Sequence, residues 1–181
     1  MTPIRLDHPA VEPVAVAELR AHLRLEDGAE DSVLATLIAA AREVVEARSR
    51  RVLIESRWRA VLPWRSARLA LPLSPVTALV SVARLRDDGI AEPLPPELCR
   101  LDAASEPPRL RLDALPPGPD ARVAVEFLAG YGAAPAAVPE ALRLAVRLLA
   151  ARWFEHRGDG EVPAWPADLE AVVAPFRPVR L

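Results

Sequence analysis

The side chains best suited to catalysis or metal binding are three histidines and one cysteine. They are His8, His22, His156 and Cys99. None of these residues lies at metal-ligand spacing from another. His156 lies near the predicted end of a helix, where the helix dipole favours a cation. Cys99 lies in an alternating, strand-like stretch that is typical of a packed thiol. The sequence therefore predicts no catalytic residue, no metal ligand and no cofactor, and we expect no enzyme.

Two glycine-containing turns could hold ligands in principle. Gly130 and Gly132 precede a predicted helix, but the chain has no Lys, and Pro135 stands where a dinucleotide-binding motif needs its third glycine. This pair predicts a turn with positive φ angles. Asp87 and Asp88 before Gly89 are too few acids for a calcium loop and favour a hairpin turn.

The length and composition indicate one domain, or one domain with an arm, and they give no indication of a membrane partner. The chain has 181 residues, of which 51% are hydrophobic, and its net charge is −2. One cysteine excludes an intrachain disulfide and fits a reducing cytoplasm. No apolar run approaches the roughly 20 residues that a bilayer span needs. All basic residues are Arg, which favours bidentate pairing with carboxylates or phosphates.

Apolar residues recur at helical spacing in four stretches. The stretch 138–157 has a broad apolar face, and the helix it predicts is expected to stop at Gly158. A second helix is predicted to run to about Arg50, after a capping-box pattern formed by Asp27 and Glu30. Shorter helices are predicted over residues 15–24 and from Pro166 onward.

Between the two long helices the hydrophobic period changes to two, which is typical of strands. The strand candidates are 54–62, 69–73, 77–86, 98–102, 109–112 and 122–127. Residues 1–13 are interpreted as an extended arm. We therefore predict a mainly helical α+β fold, a small helical bundle with an inserted antiparallel β-sheet at about 54–128. Residues 1–165 would form this domain, and residues 166–181 a C-terminal docking helix and tail.

The C-terminal tail combines an amphipathic helix with an aromatic residue, arginines and an apolar end. Such a segment suits docking into the groove of a partner. The alternative is that it folds back on the helix predicted over residues 138–157. The residues proposed for docking are Leu169, Val172, Val173, Phe176, Arg177, Val179, Arg180 and Leu181.

Residues 41–68 contain eight Arg and three Glu, which leaves a different function open. A nucleic-acid-binding or regulatory domain could use this stretch to contact phosphates, and its affinity for duplex DNA would fall steeply with salt. Helix-end and strand-surface positions explain the same arginines without DNA.

Several segments form a recognisable series through their order and spacing. They are residues 13–25 (PVAVAELRAHLRL), 37–42 (LIAAAR), Trp58, 71–76 (LPLSPV), 125–132 (VEFLAGYG), 138–143 (VPEALR), 153–157 (WFEHR) and 169–177 (LEAVVAPFR). This series resembles bacteriophage head–tail connector (portal adaptor) proteins of tailed phages, prophages and gene transfer agents.

The resemblance implies a structural, ring-forming protein of the particle neck, made in the bacterial cytoplasm. Its partners would be the portal protein, a stopper or tail-completion protein, and further copies of itself, usually twelve. Packaged DNA would be a partner only by passing through the channel. The resemblance agrees with portal docking by the C-terminal tail. It also suggests a subunit or channel face that would include Arg48, Arg50, Arg51, Arg57 and Arg59.

Overall fold

The computed structural model describes residues 2–86, 88–114, 120–157 and 165–178. The chain divides into two compact units. The β unit comprises residues 1–9 and 55–131, and the helical unit comprises residues 10–54 and 132–181. Each unit is built from segments that are distant in the sequence.

The described part of the β unit contains eight strands in two antiparallel sheets. The strands are β1 (Ile4–Arg5), β2 (Ser56–Pro63), β3 (Arg68–Ala70), β4 (Val76–Leu85), β5 (Ala91–Pro93), β6 (Cys99–Asp102), β7 (Arg109–Leu112) and β8 (Arg122–Ala129). The five-stranded sheet has the order β1-β2-β8-β4-β5, and the three-stranded sheet has the order β3-β7-β6.

Alternation along the strands decides which side chains form the core of the β unit. On β8, Val123, Val125 and Phe127 are completely buried, and Arg122 and Ala124 point to the opposite face. On β7, Leu110 and Leu112 are buried, and Arg109 and Arg111, which alternate with them, are exposed. The predicted strands at these positions are confirmed. The N-terminal arm also contributes a strand, since β1 pairs with β2 of the same chain.

The helical unit contains α1 (Val16–Leu23), α2 (Asp31–Ser49), α3 (Glu140–Glu155) and α4 (Ala167–Val173). Helices α2 and α3 pack along each other, and α1 and α4 pack against both of them. The completely buried side chains between them include Leu19, Leu34, Ile38, Leu142 and Leu169. All four predicted helices are confirmed, with ends that differ by a few residues.

Two expectations about the fold are wrong. The protein is not a mainly helical bundle, because 36% of the described residues are helical, 27% are in strands, and the strands form two antiparallel sheets. The apolar faces of the helices dominate the sequence pattern, whereas short strands alternating with Arg contribute weak signals. The capping box is also absent, since α2 begins four residues after Asp27, and the carboxylate of Asp27 accepts a bond from the N–H of Ala29 instead.

The two predicted glycine turns are present in the described parts of the chain. Gly130 and Gly132 have φ angles of +140° and +159°, and the turn prediction for this pair is confirmed. Gly89 has a φ angle of +83° in the turn between β4 and β5, although Asp87 lies outside the described residues. Gly158, the predicted helix stop, lies outside them as well.

Candidate assembly surfaces

The C-terminal segment, residues 165–178, is held within the helical unit. Leu169 and Val173 are both 0% exposed, and Val172 and Phe176 are half-buried. Helix α4 packs against α3, which is the fold-back arrangement for this part of the tail. Val179, Arg180 and Leu181 lie outside the described residues. Docking of the tail to a portal stays a prediction.

Polar contacts fix the C-terminal segment to the end of α2. The Nε of Arg51 donates a hydrogen bond of 2.6 Å to the carbonyl oxygen of Phe176. The Nε of Arg177 donates one of 2.7 Å to the carbonyl oxygen of Arg48. The guanidinium of Arg48 lies 5.2 Å from the centre of the Trp165 ring, a cation–π distance. Two arginines of the proposed subunit or channel face thus contact the chain's own tail.

Glu170 ties the C-terminal segment together internally. Its carboxylate accepts two hydrogen bonds from the guanidinium of Arg177 and one of 2.8 Å from the indole N–H of Trp165. The hydrogen bond from Arg177 is the main cause that lowers the pKa of Glu170, and the bond from Trp165 contributes. Two residues before Glu170, Asp168 pairs with Arg152 of α3 at 3.2 Å, and the hydrogen bond from Arg152 lowers the pKa of that carboxyl group.

Arg57 and Arg59 lie in the β unit, on one face of β2, and both bind Glu126 on the neighbouring strand β8. Their hydrogen bonds, that of Arg59 first, lower the pKa of Glu126. One carboxylate thus compensates part of the charge of two arginines. Arg48, Arg50 and Arg51 belong to the helical unit, and Arg50 is exposed after the end of α2. The five arginines therefore do not form one surface within either unit.

The helical unit also contains a buried arginine, Arg42 of α2, that the sequence analysis did not single out. Arg42 is 2% exposed, and its Nε donates a bond of 2.7 Å to Glu12, while Glu46 lies 3.1 Å away. Burial opposes the charged form, but the bonds and charges of Glu12 and Glu46 outweigh it and raise the pKa of Arg42. Glu46, four residues after Arg42, was the one available signal.

The residues that could do chemistry do not converge. His8, His22 and His156 are exposed, and burial, helped by Glu97, raises the pKa of the Cys99 thiol. Across the described ranges, no group of three His, Cys, Asp or Glu side chains is placed to hold a metal ion. Within the same ranges, no helix is long and apolar enough to cross a membrane.

Comparison with solved structures identifies relatives over the whole chain. A chain from the neck of an empty gene transfer agent (GTA) particle, computed with C6 symmetry, is 33% identical, with a TM-score of 0.83. A chain from the virion of a native gene transfer agent particle is 31% identical, with the same TM-score. A chain from the neck of a native GTA particle, computed with C12 symmetry, is 31% identical, with a TM-score of 0.79. Each match covers 100% of this chain and 97% of the other.

No protein-family model matches the chain, and no curated protein matches it. The structural matches define the class: this is a structural protein of a phage-like particle, and not an enzyme. Because identity exceeds 30% over essentially the full length of both chains, the chain belongs to the family of neck proteins of gene transfer agent particles.

Proposed function

We propose that this protein is the head–tail adaptor of a gene transfer agent or related phage-like particle. In this role, copies of the chain form a ring under the portal, extend the DNA channel and provide the platform for a stopper or tail-completion protein. The observation that carries the proposal is the full-length match to a neck chain of a particle computed with C12 symmetry. That symmetry supports a ring of twelve copies, and closure of a ring requires two different contact surfaces on each subunit.

The alternative of a nucleic-acid-binding or regulatory domain that uses residues 41–68 loses support at four of the eight arginines in that stretch. Arg57 and Arg59 share the carboxylate of Glu126, and Arg51 binds the carbonyl of Phe176. Arg42 is buried between Glu12 and Glu46. Arginines engaged in this way have little free capacity for phosphates.

The decisive experiment is electron microscopy of particles produced without this protein, and of particles in which the wild-type chain is restored. An adaptor's absence leaves filled heads without tails, and restoration returns the tails. Particles that keep their tails without this chain would contradict the proposal. Co-sedimentation of the purified protein with purified portal rings tests the partner directly.

The portal contact requires variants that leave the core intact. Removal of residues 166–181 would take away Leu169 and Val173, which are completely buried. Truncation after Pro178 instead removes only Val179, Arg180 and Leu181. We expect this truncation, and more so its combination with Val172→Ser, to weaken co-sedimentation with portal rings.

The matched control is Val33→Ser, which changes a valine that is 39% exposed on α2 of the same unit. It should leave portal binding unchanged. If truncated Val172→Ser protein binds portal rings as well as the wild type does, the tail is not the portal contact, although the adaptor role could still stand through another surface.

A further inference from the structure

The exposed face of the three-stranded sheet carries three arginines side by side. Arg68 on β3 is directly opposite Arg111 on β7, and Arg111 is directly opposite Arg100 on β6. Neighbouring strands are about 4.8 Å apart, so the row spans about 10 Å. Arg109 lies two residues before Arg111 on the same strand and the same face. These four residues are called the arginine face below.

Carboxylates compensate the arginine face only in part. Asp113 lies 2.9 Å from the Nε of Arg111 and 3.1 Å from that of Arg100. Asp102 is directly opposite Arg109 and accepts a bond of 2.6 Å from the hydroxyl of Ser105. Four guanidinium groups thus face two carboxylates. Like charges directly opposite each other on a sheet repel, and an external anion would relieve that repulsion.

The surface is also concave. A depression of about 240 Å³ is lined by all four residues of the arginine face together with Leu101, Asp102 and Ser105. Every cationic group in it is a guanidinium, whose planar fork pairs with two oxygens of a phosphate at once. Leu101 is the single apolar side chain of this lining and is half-buried. A peptide groove needs apolar pockets for side chains, whereas six of the seven residues that line this depression are polar or charged.

We propose that the arginine face binds the phosphodiester backbone of nucleic acid, without reading its sequence. A row of about 10 Å faces about three phosphates of one strand, because each strand of a duplex carries one charge per roughly 3.4 Å of helix axis. Of the arginine face, only Arg68 belongs to the stretch 41–68 considered above, and Arg100, Arg109 and Arg111 lie outside it. The inference does not depend on portal binding. It gives the β unit a contact with DNA beyond mere passage of DNA through a channel.

The test measures binding of the full-length protein to a short, mixed-sequence DNA duplex across about 50 to 200 mM salt. The variant R68Q/R109Q removes the two arginines of the face that have no ion pair in the contacts described above. We expect it to weaken binding at low salt and to reduce the slope of log affinity against log salt by about two. R68K/R109K keeps both charges and should retain the slope.

The control R24Q/R122Q removes the same charge from exposed positions outside the arginine face. It should bind DNA like the wild type, and circular dichroism and thermal melting should show all variants folded. A fall in affinity in this control equal to that of R68Q/R109Q would overturn the proposal. So would the absence of DNA binding at about 50 mM salt, or an unchanged slope in R68Q/R109Q.

Two further arms separate the sources of negative charge. Inorganic phosphate should reduce DNA binding no more than sodium chloride of the same ionic strength does. Saturable, tight binding of phosphate alone would assign the depression to a small anion instead. Binding of a polyglutamate peptide in the absence of DNA binding would assign the face to an acidic protein partner. Either result contradicts the proposal.

Discussion

The guanidinium of Arg51 donates a hydrogen bond of 2.6 Å to the carbonyl oxygen of Phe176, which lies 125 positions later in the chain. This bond connects the second residue after the end of α2 to the turn that follows α4. Together with the burial of Leu169 and Val173, it makes the C-terminal segment part of the helical unit. Substitutions in this segment therefore affect stability as well as any contact with a partner.

Acid should weaken the attachment of the C-terminal segment. The pKa of Glu170 lies below its ordinary value of 4.5, mainly because of Arg177. A carboxyl group whose pKa is lower in the folded than in the unfolded protein stabilises the fold at pH values above its ordinary pKa. This contribution is lost as the pH falls through the folded-state pKa. We expect the unfolding midpoint in urea to fall between about pH 6 and pH 3, and Glu170→Gln to show a smaller fall. Glu26→Gln, at an exposed position of the same unit, should keep the wild-type dependence. An identical pH dependence in all three proteins would contradict this account.

Replacement of Arg42 by Ala should be strongly destabilising. The change would leave the carboxylate of Glu46, whose side chain is 10% exposed, without its buried cation. We expect a loss of about 3 kcal/mol in the free energy of unfolding. Arg42→Lys should lose less free energy of unfolding, because lysine keeps the positive charge although it lacks the planar guanidinium that pairs with two oxygens at once. Arg20→Ala breaks the more exposed pair with Asp31 and should cost less than about 1 kcal/mol. Equal losses for Arg42→Ala and Arg20→Ala in urea titrations would refute the difference.

A methyl group at position 132 should clash with Ala137. A Cβ atom added to Gly132 would lie 2.8 Å from the Cβ of Ala137, and the φ angle of Gly132 is also unfavourable for other residues. We expect Gly132→Ala to lower the free energy of unfolding by about 1 to 3 kcal/mol. The double variant with Ala137→Gly should recover the part that is due to the clash. If Ala137→Gly lowers the free energy of unfolding further in the double variant, the loss in Gly132→Ala comes from the backbone angle and not from the clash with Ala137.

Cys99 should react slowly with alkylating agents. Burial and then the charge of Glu97 raise its pKa, so less of the reactive thiolate is present near neutral pH. Iodoacetamide should modify the folded protein more slowly than a free cysteine derivative, and Glu97→Gln should increase the rate modestly. Unfolding in urea should bring the rate to that of the free thiol. Faster reaction of the folded protein would point to an activated nucleophile.

The individual elements were predictable because their side chains follow strict periods. The stripe of Leu34, Ile38 and Val45 defined α2, and the alternation of Val123, Val125 and Phe127 defined β8. The large share of β-sheet was not predictable, because sheets depend on pairing between distant segments. No local pattern indicates that Ile4 in the N-terminal arm pairs with Arg59, more than fifty residues away.

The candidate surfaces were less predictable than the fold. Arg68, Arg100 and Arg111 are spread over three strands, and only the register of those strands places them in one row. Likewise, the sequence gives the charge of Arg42 but not its neighbour Glu12, which approaches from a segment thirty residues earlier. Partners joined by tertiary structure leave no periodic signal.

The interleaving of the two units in the chain constrains the order in which they mature during synthesis. The β unit uses residues 1–9 and 55–131, so all of its described strands are synthesised before α3. The helical unit starts at residue 10 but needs α3 and α4, which follow residue 139. The parts of α1 and α2 that pack against α3 and α4 therefore stay uncovered until the last quarter of the polypeptide has been synthesised.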